Sequence, residues 1–227
     1  DVHHKIVKLK NGIKILYIPF LKSKLVKIKV KVLHGEINEN KKTAEFGHLL
    51  EHMNAKFTSR KYPNAKENSE KINNVGGNRN ASITDYFTEY YIAGSIKHYD
   101  VFMDLILNSV LDFKFDNTVF DQEKQSVIEE LHSIKSDPWN KLNEKTNDIL
   151  YKNHPYAIKY DERIKHTKNT KINEVIKFRK QNYTTTNTLL IVAGDIQLSK
   201  IMNSVHNTIS KLQKMYINKI CHHINLN

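Results

Sequence analysis

Three short runs near the start of the chain alternate apolar and polar side chains, and this alternation constrains the fold more than any other feature. The runs cover 5–9, 13–20 and 25–34, and Asn11-Gly12 lies between the first two. Because successive side chains of a strand point to opposite faces of a sheet, a two-residue period predicts half-buried strands. An Asn-Gly pair between such runs indicates a hairpin turn. The chain is therefore expected to begin as antiparallel sheet.

After these runs the spacing of apolar residues changes, and most of the remaining chain shows a helical period. Helices are predicted over 42–58, 64–74, 98–112, 117–136, 138–151, 171–181 and 197–211, and further strands over 78–84, 86–95 and 188–195. The segment near 153–170 is predicted to be a polar connection. This order of elements is typical of an α+β domain with a mostly antiparallel sheet and helices packed on one face.

Composition narrows the possible classes of protein. With 227 residues and 39% hydrophobic content the chain can bury a sizeable core. The formal net charge is +12, but lysines are spread along the chain, which favours a solvated surface over a nucleic-acid groove. No run approaches the roughly 18 apolar residues of a membrane span. The single cysteine, Cys221, excludes an internal disulfide framework and fits an intracellular compartment, which the sequence does not specify further.

The segment His48-Leu-Leu-Glu51-His52 carries the most specific chemistry and lies in the first predicted helix. One helical turn separates the two imidazoles, so both rings can reach one metal ion with Glu51 beside it. The same three residues lie nearly opposite an apolar stripe on that helix, formed by Phe46, Leu49, Leu50, Met53 and Phe57. The five-residue segment alone is therefore compatible with a zinc site and with an ordinary charged helix face.

A third ligand for such an ion is expected from the helix predicted over 117–136. Glu123 and Glu130 share an otherwise apolar face of that helix, where a carboxylate is costly unless it is paired or bound to metal. Glu130 is therefore the best candidate, ahead of Glu129 and His132, which lie on other sides of the helix. The alternative is that Glu123 and Glu130 merely pair with nearby lysines.

These motifs resemble the inverted zinc motif of the pitrilysin, insulin-degrading enzyme and mitochondrial processing peptidase family. The interval from His52 to Glu130 is close to that family's usual spacing. Other segments agree in order over about 6–211: Lys61-Tyr62-Pro63, Gly76-Gly77 leading to Ala81, Thr88 to Tyr91, His154-Pro155-Tyr156, and Asn182-Tyr183 before Gly194-Asp195. The chain departs from the family at Glu45, where glycine is frequent, and at Gly47, where alanine is common.

The resemblance implies a cofactor and a role for each residue of the motifs. His48, His52 and Glu130 would bind Zn²⁺ and leave one coordination position for water. Glu51 would take the proton of that water and pass it to the leaving amine, so the reaction would be zinc-dependent hydrolysis of a peptide bond. Glu123 would orient a ligand or the first helix.

The resemblance also implies a substrate and a partner. Asn80 and Ala81 would lie on an edge strand that pairs with an extended peptide, although turn chemistry alone explains an Asn there. Members of the family form a clamshell of two homologous halves, and this chain resembles only the first, zinc-bearing half. Residues 1–211 would be that N-terminal domain. Residues 212–227 would be a tail or the start of a linker to a second half, in the same chain or in a partner subunit.

Two other functions stay open on the sequence. One is a catalytically weak or inactive processing or assembly subunit that binds peptides, against which the intact His48, Glu51, His52 and Glu130 argue. The other is a hydrolytic lyase acting on ribosyl-homocysteine, a related fold that also carries a His-x-x-Glu-His helix. The third ligand of that lyase is a cysteine, whereas Cys221 follows the last predicted helix.

Overall fold

The computed structural model of the protein describes residues 3–152 and 154–223, with side chains described as far as Ser210. The strands of this part are β1 (Lys5–Lys8), β2 (Lys14–Pro19), β3 (Leu25–Val32), β4 (Asn78–Ile83), β5 (Thr88–Ser95) and β6 (Thr188–Gly194). Its α-helices are α1 (Phe46–Asn54), α2 (Ala65–Asn73), α3 (Tyr99–Leu111), α4 (Asn117–Ser136), α5 (Pro138–Leu150), α6 (Tyr160–Asn169), α7 (Ile172–Asn182) and α8 (Leu198–His223).

The strands form one mixed sheet in the order β1-β2-β6-β3-β5-β4. Every neighbouring pair is antiparallel except β2 and β6, which run parallel because β6 returns to the sheet after a long helical excursion. The predicted α+β class with a mostly antiparallel sheet is confirmed, with this one parallel pair as the exception. β4 ends the sheet, so within the described residues its outer edge carries no strand partner.

The alternation of β3 shows how the sheet is covered. Val26, Ile28 and Val30 are at most 2% exposed and belong to a core that includes side chains of α3 and α8. The lysines between them point to the opposite face, where Lys29 pairs with Glu89 of β5 at 2.7 Å. The helices therefore cover one face of the sheet, as the sequence predicts.

Helix α1 is fixed by its apolar stripe. Phe46, Leu49, Leu50 and Met53 are at most 3% exposed and pack in a second core with α4 and α7. Burial of each such large side chain contributes about 1.5–3 kcal/mol. The helix is shorter than the predicted 42–58, because the backbone is left-handed just before its first residue and again at Phe57, where φ is 52°.

The prediction of a polar connection over 153–170 is wrong in its second half, which folds as α6. This helix buries only Ile164 and Thr167, so its sequence lacks the apolar stripe by which a helix is recognised. Asp161 and Glu162 in the first turn and Lys168 in the last turn complement the helix dipole and support the helix locally.

The last helix, α8, is longer than the predicted 197–211, since its backbone continues to His223. The side chain of Cys221 lies outside the described residues. The domain boundary at 211 stays a prediction. None of the helices in the described part of the chain combines the length and the apolar character needed to cross a lipid bilayer.

Candidate metal centre

Helix α1 directs two imidazoles toward one carboxylate of α4. Nε2 of His48 lies 3.0 Å and Nε2 of His52 lies 3.4 Å from Oε2 of Glu130. One ligand atom from each of the three residues lies within 4.8 Å of the others. Two tetrahedral zinc ligands with bonds of about 2.0–2.1 Å are roughly 3.3 Å apart. The spacing and the donor set therefore fit a zinc ion held by His48, His52 and Glu130.

Each imidazole also contacts a carboxylate through Nδ1, on the side of the ring away from Glu130. Nδ1 of His48 lies 2.8 Å from Oε2 of Glu45, and Nδ1 of His52 lies 3.2 Å from Oε2 of Glu123. An ionised carboxylate only accepts hydrogen bonds, so each Nδ1 carries the proton and donates it. Each Nε2 is then the ring nitrogen that faces Glu130, where a zinc ion would replace any proton that it carries.

Glu123, the residue expected to orient a ligand or the first helix, lies on α4 within hydrogen-bond distance of His52. Its side chain is 11% exposed, and its second oxygen pairs with Nζ of Lys56 at 3.0 Å. The carboxylate therefore joins the end of α1 to α4 while it orients the His52 ring.

Glu130, the expected third ligand, lies beside the two histidines, but it is not buried. Its side chain is 54% exposed, whereas Val127, one turn earlier on the same face, is fully buried. Beyond Val127, the face of α4 that carries both residues lines a cavity instead of the core. The apolar stripe of α4 therefore indicates which side of the helix faces α1. It does not indicate that every residue on that side is buried.

Glu51 lies at the edge of the cluster. Its carboxylate Oε2 is 3.9 Å from Nε2 of His52, and its side chain is 13% exposed. Burial raises the pKa of Glu51 above its usual value. Burial alone lowers the pKa of His48, but the hydrogen bond and charge of Glu45, with the charges of Glu130 and Glu51, raise it to about 9.

The residues that fix the start of α1 are the main feature that sequence reasoning missed. Glu39 accepts hydrogen bonds from the backbone N–H groups of Glu45 and Gly47 at 2.9 and 2.7 Å. Arg163 of the unpredicted helix α6 donates to Glu45 at 2.6 Å. The available signal was Glu45 itself, a charged residue at a position where the family often has glycine.

Gly47 is explained by close packing. A Cβ atom at Gly47 would lie 2.6 Å from Cδ1 of Ile83 and 3.0 Å from Oε1 of Glu39. Alanine, which is common at this position in the family, would therefore push Ile83 or Glu39 away from the start of α1. The absence of a side chain lets Oε1 of Glu39 reach the Gly47 N–H.

The two predicted substrate-binding residues lie on the edge strand β4. Asn80 is exposed, whereas Ala81 is only 8% exposed and faces the core. Ile83, at the end of β4, lines a cavity of about 670 Å³ together with His48 and Glu130. The edge strand therefore leads to the cluster, and Ala81 can offer only its backbone to a ligand.

Tyr90 and Tyr91, expected to be sheet residues, both lie in β5. Tyr90 is fully buried, and its hydroxyl lies 3.4 Å from the carbonyl oxygen of Leu50. This contact attaches α1 to the sheet. Nζ of Lys27 lies 4.2 Å from the centre of the Tyr91 ring on the other face.

The sheet covered on one face and the His-x-x-Glu-His helix facing a glutamate of a later helix define a domain of the zinc metallopeptidase type. The family described as Insulinase (Peptidase family M16) matches residues 17–160, and the chain belongs to that family. The pitrilysin-like resemblance of the sequence is thereby confirmed.

Relatives of known name agree with this assignment. The zinc protease PqqE of Helicobacter pylori is 29% identical over 87% of this chain and 45% of that protein. Human insulin-degrading enzyme is 26% identical over 91% of this chain and 21% of that enzyme. The crystal structure of a protease from Helicobacter pylori superposes with a TM-score of 0.83 at 25% identity, over 91% of this chain and 50% of that one. The chain thus spans about half the length, or less, of these relatives.

Proposed function

We propose that this chain is the zinc-bearing half of an endopeptidase, in which His48, His52 and Glu130 hold zinc and Glu51 is the general base. The observation that carries the proposal is the convergence of one ligand atom from each of the three residues within 4.8 Å, with a second carboxylate, that of Glu51, beside them. Relatives that are named zinc proteases support the same chemistry.

The chemistry follows from the positions of the side chains. A bound zinc ion would polarise the scissile carbonyl and lower the pKa of a water molecule. Glu51, which lies beside the ligand atoms without being one of them, accepts the proton of the attacking water at its carboxylate and passes it to the leaving amine. The carboxylates behind His48 and His52 keep both rings in the orientation that ligation requires.

The sheet edge supports an extended peptide as substrate. β4 offers backbone N–H and C=O groups along its outer edge, so a peptide can add as a further strand without a strict sequence requirement. Asn80 is exposed along this edge, and the strand ends at Ile83 beside the candidate metal ligands. A substrate side chain near the scissile bond would enter the cavity that Ile83 lines.

We also infer that full activity requires a homologous second half. The chain covers 45% of the zinc protease PqqE and 50% of the crystallised Helicobacter pylori protease, and Glu130 is open to solvent. Helix α5 flanks the same cavity and directs large apolar side chains outward, with Trp139 74% and Ile149 73% exposed. Apolar surface of this kind is typical of an interface, and a second half would cover it and close the site.

Peptide hydrolysis by the purified chain tests the proposal. The chain is assayed on an unstructured peptide with zinc, alone and with a homologous second half added as a separate chain. We expect cleavage that depends on the second half and is lost in Glu51→Gln. A full rate from the isolated monomer would refute the need for a second half, and an unchanged rate in Glu51→Gln would refute the assigned base. Zinc binding without cleavage in the assembled protein would favour an inactive, peptide-binding subunit instead.

A further inference from the structure

The residue that precedes α1 has an unusual backbone conformation. Glu45 has φ of 70° and ψ of 4°, in the left-handed region that residues other than glycine rarely adopt. Its side chain is also only 4% exposed, although it is a carboxylate. Strained backbone and buried charge both oppose folding, so they persist only where the surrounding contacts compensate for them.

Both oxygens of the Glu45 carboxylate are engaged. Oε2 accepts the Nδ1–H of His48 at 2.8 Å, and Oε1 accepts a hydrogen bond from Nη1 of Arg163 at 2.6 Å. The backbone N–H of Glu45 donates to Oε2 of Glu39 at 2.9 Å. The residue is therefore held from its backbone and from both side-chain oxygens, and the candidate ligand His48 is one of the three partners.

Arg163 is itself fixed within α6 and its surroundings. Its side chain is 11% exposed, its Nε donates to the carbonyl oxygen of Ile158 at 3.2 Å, and its Nη1 lies 3.5 Å from Oε2 of Glu36. The buried cation offsets the buried charge of Glu45. The neighbouring His166 is hydrogen-bonded through Nδ1 to the carbonyl oxygen of Ala44 at 2.8 Å. Helix α6 thus holds the segment that begins α1.

We propose that Glu45 is a positioning residue for the metal centre, fixed by Arg163, that sets the tautomer and ring orientation of His48. It does for His48 what Glu123 does for His52, so that a carboxylate holds each histidine from behind. A glycine, which the family often has at this position, cannot make this contact. This inference rests on the proposed function, because it treats His48 as a zinc ligand.

Substitution of Glu45 in the 227-residue chain tests this role. Glu45→Gly removes the carboxylate and relieves the left-handed backbone, but it also leaves the buried Arg163 without this partner, so circular dichroism and thermal unfolding of the metal-free variant verify its fold. Zinc affinity is measured by competition with a chelator, and the visible absorption spectrum of the Co²⁺ form reports ligand geometry. We expect the zinc dissociation constant to rise about 10- to 100-fold, with an altered Co²⁺ spectrum.

Two further substitutions complete the test. Arg163→Gln frees the Glu45 carboxylate without changing α1, and we expect it to weaken zinc binding several-fold. Glu36→Gln is the matched control, because it removes a carboxylate near Arg163 that does not contact His48. Its zinc dissociation constant should stay within twofold of that of the unsubstituted chain.

The outcomes distinguish this inference from the proposed function. If the unsubstituted chain binds no zinc, the proposed function fails. If it binds zinc, and Glu45→Gly and Arg163→Gln give the same dissociation constant and the same Co²⁺ spectrum, the proposed function stands and the positioning role of Glu45 is overturned. If Glu45→Gly does not fold, Glu45→Gln keeps the shape of the side chain, and unchanged zinc affinity in that variant also overturns the role.

Discussion

Replacement of Glu123 is the sharpest test of how this site is supported. Glu123 is 11% exposed, receives a hydrogen bond from Nδ1 of His52 and forms an ion pair with Nζ of Lys56. Glu123→Gln keeps the size of the side chain and an oxygen acceptor but removes the charge, whereas Glu123→Ala removes the partner altogether. Lys56 is 43% exposed and can turn to water, so the effect should fall on His52.

The size of the effect follows from the bond that is changed. A hydrogen bond to a charged group contributes about 1.5–3 kcal/mol, and the neutral version is roughly half as strong. Glu123→Gln should therefore cost about 0.8–1.5 kcal/mol of zinc binding, or roughly 4- to 13-fold in the dissociation constant at about 1.36 kcal/mol per tenfold. Glu123→Ala should cost about 10- to 100-fold.

The assay is competition for zinc with a chelator of known affinity, with circular dichroism of each variant to verify the fold. Glu129 provides the matched control, because it lies on the same helix, is exposed, and bonds only to Nε2 of Gln125 at 2.8 Å among the contacts described. Glu129→Gln and Glu129→Ala make the same chemical changes and should alter the dissociation constant less than twofold. If the Glu123 variants bind zinc as tightly as the Glu129 variants, the Nδ1 carboxylate does not support the site and the reasoning is refuted.

Three further results are expected. Leu49→Ala should lower the free energy of unfolding by about 2–5 kcal/mol in urea denaturation, because Leu49 is fully buried; Leu142→Ala, at a position 53% exposed, should change it by less than about 0.5 kcal/mol. Zinc at 100 times its dissociation constant should add about 2.7 kcal/mol, and a chelator should remove that gain; equal stability with and without zinc would contradict the site. Burial raises the pKa of Glu39 from 4.5 to about 8, so the folded state retains a proton that the unfolded state has lost. The free energy of unfolding should therefore fall by up to about 1.4 kcal/mol per pH unit as the pH rises from about 4.5 to about 8, and this slope should be shallower in Glu39→Gln. Equal slopes in the variant and the unsubstituted chain would show that Glu39 does not titrate in this range.

The elements that place the candidate metal centre were predictable because each has a strong local pattern. Strand β3 and helix α1 each bury one face. Their apolar residues therefore recur with a period of two residues in the strand and of 3.6 residues in the helix. The candidate ligands His48, His52 and Glu130 followed from helical spacing, and the structure brings them together. What the pattern could not supply was the exposure of Glu130, because a helix face that lines a cavity has the same period as one that lines the core.

The support of the site at Glu45 was not predictable from local pattern. Most side chains of helix α6 are polar, and the helix buries only two residues, so its sequence shows no periodic apolar pattern. Arg163 reaches Glu45 across 118 positions of the chain, and such a contact is decided by tertiary packing. The one indication of this contact in the sequence was Glu45 itself, a charged residue at a position where the family often has glycine.

The metal content of the purified chain tests the central claim most directly. Elemental analysis after dialysis should find about one zinc ion per chain, retained in Glu51→Gln and lost in His52→Ala and Glu130→Ala. The chelator-stripped protein should take up one equivalent again. An unsubstituted chain without zinc, or a His52→Ala variant that keeps a full equivalent, would contradict the assignment of His48, His52 and Glu130 as the metal centre.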